Sequence, residues 1–382
     1  MLGRWSGKQI WNILIALALF LAALSLVQWP RQSSAAAVEG LTLCYSVIIP
    51  SLFPFFVLSA LTMELGMTGY MDRGVRKVMV PLFRVSGRCA SALVLGLIGG
   101  YPVGAQAAVE LYKKGQCSKT EAERMLAFCN TSGPAFILGA VGAGIFADSR
   151  VGVLLYLIHA AAAICVGILF RFYKKGDFGT EQPVQVSAGT KRFSAAFTDS
   201  VKKSFASVLN ICAFVVLFAV IIRVFKQAGI LRGLAVLFAP FGLETVWGER
   251  LLTGILEVSS GVWSLTAGEL SAGSITAAAF MLGWGGLSVH CQVLSFAGDS
   301  GLSMTPYFLG KLLHGILSAL LVVIVYSFIP LQTETWNPGW VESFVSIHSA
   351  RSVGIAVIAA GILWLSFLFG SRDRRKKQWK KA

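Results

Sequence analysis

The stretch FCNTSGPAFILGAVGAG, Phe128–Gly144, lies in a long apolar segment where an uninterrupted membrane helix would be expected. Asn130, Thr131, Ser132, Gly133 and Pro134 break that segment in one cluster. In hydrocarbon, a broken helix leaves backbone N–H and C=O groups unpaired, at several kcal/mol each. Such a break is tolerable only where it lines a cavity. There the half-helix ends offer partial charges, positive at N-termini, to a solute or ion. Asn130, Thr131 and Ser132 would add side-chain donors and acceptors.

The surrounding composition is that of a membrane protein. Of 382 residues, 55% are hydrophobic and 13% charged, against roughly 25% charged in soluble domains; the mean hydropathy is +0.71. Several runs of about 20 apolar residues can each cross a core of about 30 Å. The net charge of +15 does not point to nucleic acid. The basic residues fall in short loops and in the tail SRDRRKKQWKKA, Ser371–Ala382, the pattern of a cytoplasmic face that touches anionic lipid headgroups. Seven cysteines (Cys44, Cys89, Cys117, Cys129, Cys165, Cys212, Cys291) form no CxxC pair and read as small packing residues. Arg4 and Lys8 precede the run Ile10–Val27, which is long for a signal and is expected to stay as a helix.

Hydropathy places spans near 9–28, 43–66, 89–112, 124–147, 150–171, 207–226, 251–270, 275–297, 305–328 and 352–370. Two of them are interrupted at their centres, 89–112 by Gly99-Gly100-Tyr101-Pro102 and 251–270 by Glu257, Ser259, Ser260 and Gly261. If both are re-entrant hairpins and the N-terminus is cytoplasmic, the strongly basic loops share one face. These hold Arg73, Arg76, Lys77, Arg84 and Arg88, then Lys113, Lys114, Lys119 and Arg124, then Lys174 to Lys203, and finally the tail. The outer loop with Arg232 and Arg250 fits least well. Eleven residues per arm rise about 16 Å, so each tip would end near the midplane.

The two halves also resemble each other. A shift of 155 residues lays LYLIHAAAAICVGIL (Leu155–Leu169) over GKLLHGILSALLVVI (Gly310–Ile324) and His159 over His314. The same shift puts Gly133 on Ser288 and Pro102 on Glu257. Each unit reads as helix, hairpin, broken helix, helix. Three crossings are an odd number, so the second copy is inverted, the pattern that marks secondary transporters and their sites. The expected fold is an all-α polytopic membrane protein with inverted repeats, each holding a re-entrant hairpin and a broken helix. Its parts are an N-terminal helix and loop (1–40), a first repeat (41–175), a cytoplasmic linker (176–206), a second repeat (207–330), and a last helix with its basic tail (331–382).

IPSLFPFFVLSAL (Ile49–Leu61), GGYPVGAQ (Gly99–Gln106), FCNTSGPAFILGAVG (Phe128–Gly142), LEVSSG (Leu256–Gly261) and GWGGLSVHCQV (Gly283–Val293) resemble the YlbJ-type sporulation integral membrane proteins. That group carries a nucleoside-recognition "gate" domain, and the resemblance covers roughly residues 40 to 330. It implies a multi-pass protein of endospore-forming bacteria that moves dipicolinic acid across the outer forespore membrane. It also implies a layout similar to concentrative nucleoside transporters. No catalytic residues come with it.

The site residues therefore come from the residues themselves. Glu257 is the strongest candidate, because an ionisable group at mid-membrane depth is costly and usually functional. With Ser259 and Ser260 it could bind a coupling Na⁺ or H⁺; no other cofactor and no metal is implied. Asn130, Thr131, Ser132 and Gly133 at one break, Gly286 and Ser288 at the other, and Gly100 and Tyr101 at the first tip complete the solute site. His290 beside Gly285-Gly286 suits a donor or proton relay. Lys311 could hold a solute carboxylate or snorkel to the interface. His159 and His314 are expected to pack between helices. Glu64 and Glu110 should reach water, and Trp29, Trp336 and Trp340 should anchor at the interfaces.

The expected function is transport of a small, planar, anionic solute across a lipid bilayer, dipicolinate by resemblance. The alternatives are transport of a nucleoside or other neutral solute read by Glu257, Asn130 and Gln292, and a non-transporting spore-assembly protein. An enzyme is not expected, since there is no HExxH, nucleophile elbow or GxxxxGK[ST] loop. An oligomer is compatible with the sequence.

Overall fold

A computed structural model describes residues 7–65, 75, 77–174, 192–265 and 271–328. The expected span 352–370, Trp336, Trp340 and the basic tail lie outside these residues. The described residues form helices, and no strand occurs among them. Among the described residues, six helices are long and apolar enough to cross a membrane: Trp11–Gln28, Pro30–Thr62, Ser149–Phe170, Phe193–Gln227, Ala272–Ser300 and Thr305–Phe328. A seventh is reached if the pair Ile230–Pro240 and Thr245–Leu256, bent by 116°, counts as one span. The expected all-α polytopic architecture is what the chain adopts.

Helix α1 (Gly7–Gln28) keeps its spanning window unburied, as an all-apolar helix facing lipid would. Next come α2 (Pro30–Leu43), a π-helical turn at Cys44–Ile48, and α3 (Ile49–Glu64). The segment SSAAAVEG, which hydropathy leaves in a loop, is helical. Pro30 opens it at the first turn, and its alanines favour helix.

The α2–α3 rod runs antiparallel to the helix Phe193–Gln227, whose first turns also extend through the expected linker. Arg223 pairs with Glu39 at one end (2.6 Å), and Lys203 pairs with Glu64 at the other. Between them Phe205 meets Phe53 edge-on, with ring centroids 6.4 Å apart. A 35-residue helix is about 52 Å long, well beyond the hydrocarbon core, so its polar ends can project.

The first interrupted segment is a helical hairpin. Helices α4 (Ala90–Gly99) and α5 (Val103–Lys113) flank the turn Gly100-Tyr101-Pro102. Gly100 has φ +78°, which a side chain would strain. The arms close so tightly that a Cβ on Gly104 would stand 2.7 Å from the Gly96 Cα.

Helix α6 (Lys119–Phe128) opens with a Ser118–Glu121 capping box and ends where the polar break begins. The chain then runs without regular structure to Gly133, and a π-helical segment, Ala135–Ile145, follows. The carbonyl of Cys129 is wedged between the hairpin arms, 1.9 Å from where a Cβ on Gly96 would lie. Backbone cannot yield there as a flexible side chain would. Gly96→Ala is therefore expected to destabilise the protein by at least the ~1–3 kcal/mol of an overpacked core. Thermal unfolding in detergent would show it as a lowered midpoint.

Helix α7 (Ser149–Phe170) closes the first half, and α8 (Phe193–Gln227) and α9 (Ile230–Ala235) begin the second. The second interrupted segment is also a hairpin, α10 (Thr245–Leu256) and α11 (Val258–Ser264), reversing at Glu257. Gly254 and Gly261 face each other across it, with the Met281 thioether against them. The second broken span consists of α12 (Ala272–Trp284) and α13 (Gly286–Ala297), which meet at Gly285 (φ +87°). Helix α14 (Thr305–Phe328) crosses α12 closely through Gly283 and Gly315, as membrane helices do through small residues.

Candidate functional site

Each hairpin tip touches a helix break. A Cβ on Gly100 would come within 2.7 Å of the Gly133 nitrogen, and one on Gly286 within 2.9 Å of the Val258 nitrogen. The two tip–break contacts enclose one cavity of about 30 Å³. Of the sequence candidates, Gly100, Tyr101, Ser132, Gly133, Glu257, Ser259 and Ser288 line it, joined by Gln292. Ile48, Leu52, Phe136, Ile211 and Val215 form the apolar wall. Tyr101 Oη, Ser132 Oγ and Gln292 Oε1 are buried there without a hydrogen-bond partner. A water needs about 10–15 Å³ and a drug-sized solute several hundred, so the space in this structure is of water size and too small for a solute.

The remaining candidates stand behind that wall. Thr131 Oγ1 donates to the Gly96 carbonyl (2.7 Å), fastening the break to the first hairpin. Asn130 Nδ2 reaches Tyr307 Oη (3.4 Å), which also bonds His290 Nδ1 (2.8 Å). Tyr307 is the polar group that the sequence reading left out of the site, and Gln292 entered it only in the neutral-solute alternative. Tyr307 is the second residue after Thr305 in an ordinary apolar span, and no local pattern marks it.

Lys311 does not snorkel. It is fully buried, and its Nζ donates to the Asn130 carbonyl at 2.9 Å. Gly310 permits this, because a Cβ there would strike the Ala127 carbonyl at 2.2 Å; α14 thus lies directly on the end of α6. The amine also lies near Gly285, the end of α12, and 5.7 Å from the centroid of the Tyr101 ring. It therefore sits between two helix C-termini, whose partial negative charge favours a cation. No carboxylate is within ion-pair distance of Nζ among the described residues.

Glu257 caps its own helix. Its Oε1 accepts from the Ser259 nitrogen (2.9 Å) and Oε2 from the Ser260 nitrogen (2.6 Å). Both carboxylate oxygens thus hold the second tip in shape while the residue lines the cavity. Ser260 faces away, into a larger cleft of about 670 Å³ beside Arg223 and Arg250.

Arg124 differs from expectation. Placed by the sequence in a basic cytoplasmic loop with Lys113, Lys114 and Lys119, it is 1% exposed. Nη1 donates to the Arg84 carbonyl (2.5 Å), Nε and Nη2 to that of Tyr173 (3.0 and 2.7 Å), and Nη2 to that of Lys174 (3.1 Å). Beside it, buried Glu123 accepts from Lys174 Nζ, Tyr173 Oη and the Ser303 nitrogen. The cysteines are all free, and no group of three His, Cys, Asp or Glu able to hold a metal occurs among the described residues.

Fold and site together define a polytopic α-helical membrane protein in which two helical hairpins and two helix breaks meet at a small cavity with unpartnered polar atoms beside it. Residues 45–149, which contain the first hairpin and the first break, match the Gate family, described as nucleoside recognition. The chain is similar to the sporulation integral membrane protein YlbJ of Bacillus subtilis (strain 168). The two are 28% identical over 365 residues, covering 90% of this chain and 89% of that protein. The resemblance drawn from the motifs is thereby borne out. No solved structure matches.

Proposed function

We propose that the protein is a secondary transporter or facilitator of a small, planar, anionic solute, and that the solute is dipicolinate, moved during sporulation. The observation that carries this reading is the meeting of both hairpin tips and both helix breaks at one buried cavity. Irregular backbone at that depth is costly unless it serves a site. The two halves are inverted repeats in this reading, and the hairpins are re-entrant, one from each face. The paired contacts Gly100–Gly133 and Val258–Gly286 support it, since they recur at nearly the same sequence offset. Both termini are cytoplasmic and the membrane is the outer forespore membrane, the latter by likeness to YlbJ-type proteins. Opening of either hairpin would enlarge the cavity toward one face, and Lys311 would exchange the Asn130 carbonyl for a solute carboxylate.

A second reading, transport of a neutral solute such as a nucleoside, is favoured by one observation: Lys311 is not in the cavity wall, whereas Gln292 and Ser132 are. Uptake of radiolabelled dipicolinate into proteoliposomes, beside a nucleoside control, separates the two. Saturable dipicolinate uptake is expected. Uptake of the nucleoside alone would transfer the assignment to the second reading. No flux of either, from folded and inserted protein, would overturn both and leave a spore-assembly role.

A further inference from the structure

His159 on α7 and His314 on α14 are both buried, with ring centroids 4.2 Å apart. Their hydrogen bonds fix where the protons sit. The Ser132 N–H can only donate, so His159 Nε2, 2.8 Å away, is a bare acceptor and the neutral ring carries its proton on Nδ1. The His159 carbonyl can only accept, so His314 Nε2, at 2.9 Å, carries a proton and its Nδ1 is bare. Both Nδ1 atoms are buried without a partner. Simple packing does not account for that. Two aliphatic side chains would fill the space without leaving two buried polar atoms unsatisfied.

We propose that the His159–His314 pair is a proton-binding site, and that a proton taken by His159 releases the helix break that walls the cavity. This rests on the transport reading and identifies its coupling ion. A proton from water binds the His159 Nε2 lone pair, giving an imidazolium with N–H at both nitrogens. Nε2 then faces the Ser132 N–H as donor against donor, and that hydrogen bond is lost. Ser132 and Gly133 line the cavity, so the break and its contact with the first hairpin tip loosen together. Loss of the proton restores the bond and closes the site.

The titratable groups facing His159 are His314 and Lys311, both on α14. Helix α12 and the π-helical segment carry no titratable side chain. The acids and Arg124 of α6 are bound toward its other end, to Ser86, Ser118, Arg84, Tyr173 and Lys174. With only basic neighbours, an imidazolium is accommodated when the break has moved, which is what ties proton to opening.

The test is hydrogen exchange of the Asn130–Gly133 backbone in lipid nanodiscs, corrected for intrinsic rates, between about pH 7.5 and pH 5.5, a range that brackets ordinary histidine. The wild type is compared with His159→Gln, whose amide oxygen still accepts from Ser132 but takes no proton. Protection in the wild type should fall by up to about tenfold per pH unit and stay flat in the variant. Flat exchange in the wild type, or an equal slope in both, would overturn the proposal. Should the variant not fold, ¹⁵N-histidine NMR of the wild type decides. His159 should gain its second proton as the break loosens; a ring that stays neutral overturns the idea. In proteoliposomes an inward proton gradient should accelerate dipicolinate uptake by the wild type and not by the variant. A protein that moves no dipicolinate yet keeps the pH-dependent exchange would sink the solute reading and leave the proton site standing.

Discussion

Lys311→Met should fold and insert but lose at least about tenfold in dipicolinate uptake. A charge-assisted hydrogen bond to a solute carboxylate contributes about 1.5–3 kcal/mol, or roughly ten- to a hundredfold in affinity. Methionine keeps the shape and removes the charge. The Asn130 carbonyl then loses its donor, at a cost of about 1–3 kcal/mol. Relief of the buried amine's desolvation offsets part of that. The expected signature is therefore a small change in thermal stability beside a large change in transport. The neutral-solute reading makes the opposite forecast, with uptake of a nucleoside unaffected by the substitution. A large loss of stability with unaltered uptake per folded molecule would make Lys311 a structural strut only.

Arg124→Met should have the largest effect on stability. The guanidinium serves three carbonyls, those of Arg84, Tyr173 and Lys174, from two separate chain segments. Breaking a buried charged network by removing one member costs about 3–5 kcal/mol, because the groups left behind stay buried and unpaired. Glu123 continues the network to Ser303, just before α14, so the loss should also loosen the helix that carries Lys311 and His314. Thermal unfolding in detergent, followed by the retained monodisperse fraction on size exclusion, reads the effect directly. A midpoint within error of the wild type would show that these bonds are dispensable.

The sequence disclosed the parts of the fold that break a pattern. Gly99-Gly100-Tyr101-Pro102, Asn130–Pro134, Glu257 and Gly285-Gly286 stand out because glycine, proline and polar residues are expensive inside apolar helices. Each does mark a turn or break in the structure. Seven of the candidate site residues reach one cavity for the same reason.

What stayed hidden depends on tertiary contact. Hydropathy cannot tell a solvated arginine from a buried one, so Arg124 read as a loop charge. The helical form of residues 193–206 is supported by the two rods packing together, which their own polarity conceals. Tyr307 and the Lys311–Asn130 bond arise where α14 lies on the end of α6, a contact set by Gly310 and invisible in either segment alone. Glu257 was correctly placed at a tip, yet its helix-capping bonds could not be inferred from charge and depth alone.

In the proposed transporter the two tips and two breaks enclose the solute. A structure of the protein determined by electron cryomicroscopy with saturating dipicolinate tests it most directly. Solute density is expected against Tyr101, Ser132 and Gln292 in an enlarged cavity, with Lys311 Nζ turned from the Asn130 carbonyl to a carboxylate. Density confined to another surface, or an unchanged cavity of about 30 Å³ in protein shown to bind the solute, would contradict it.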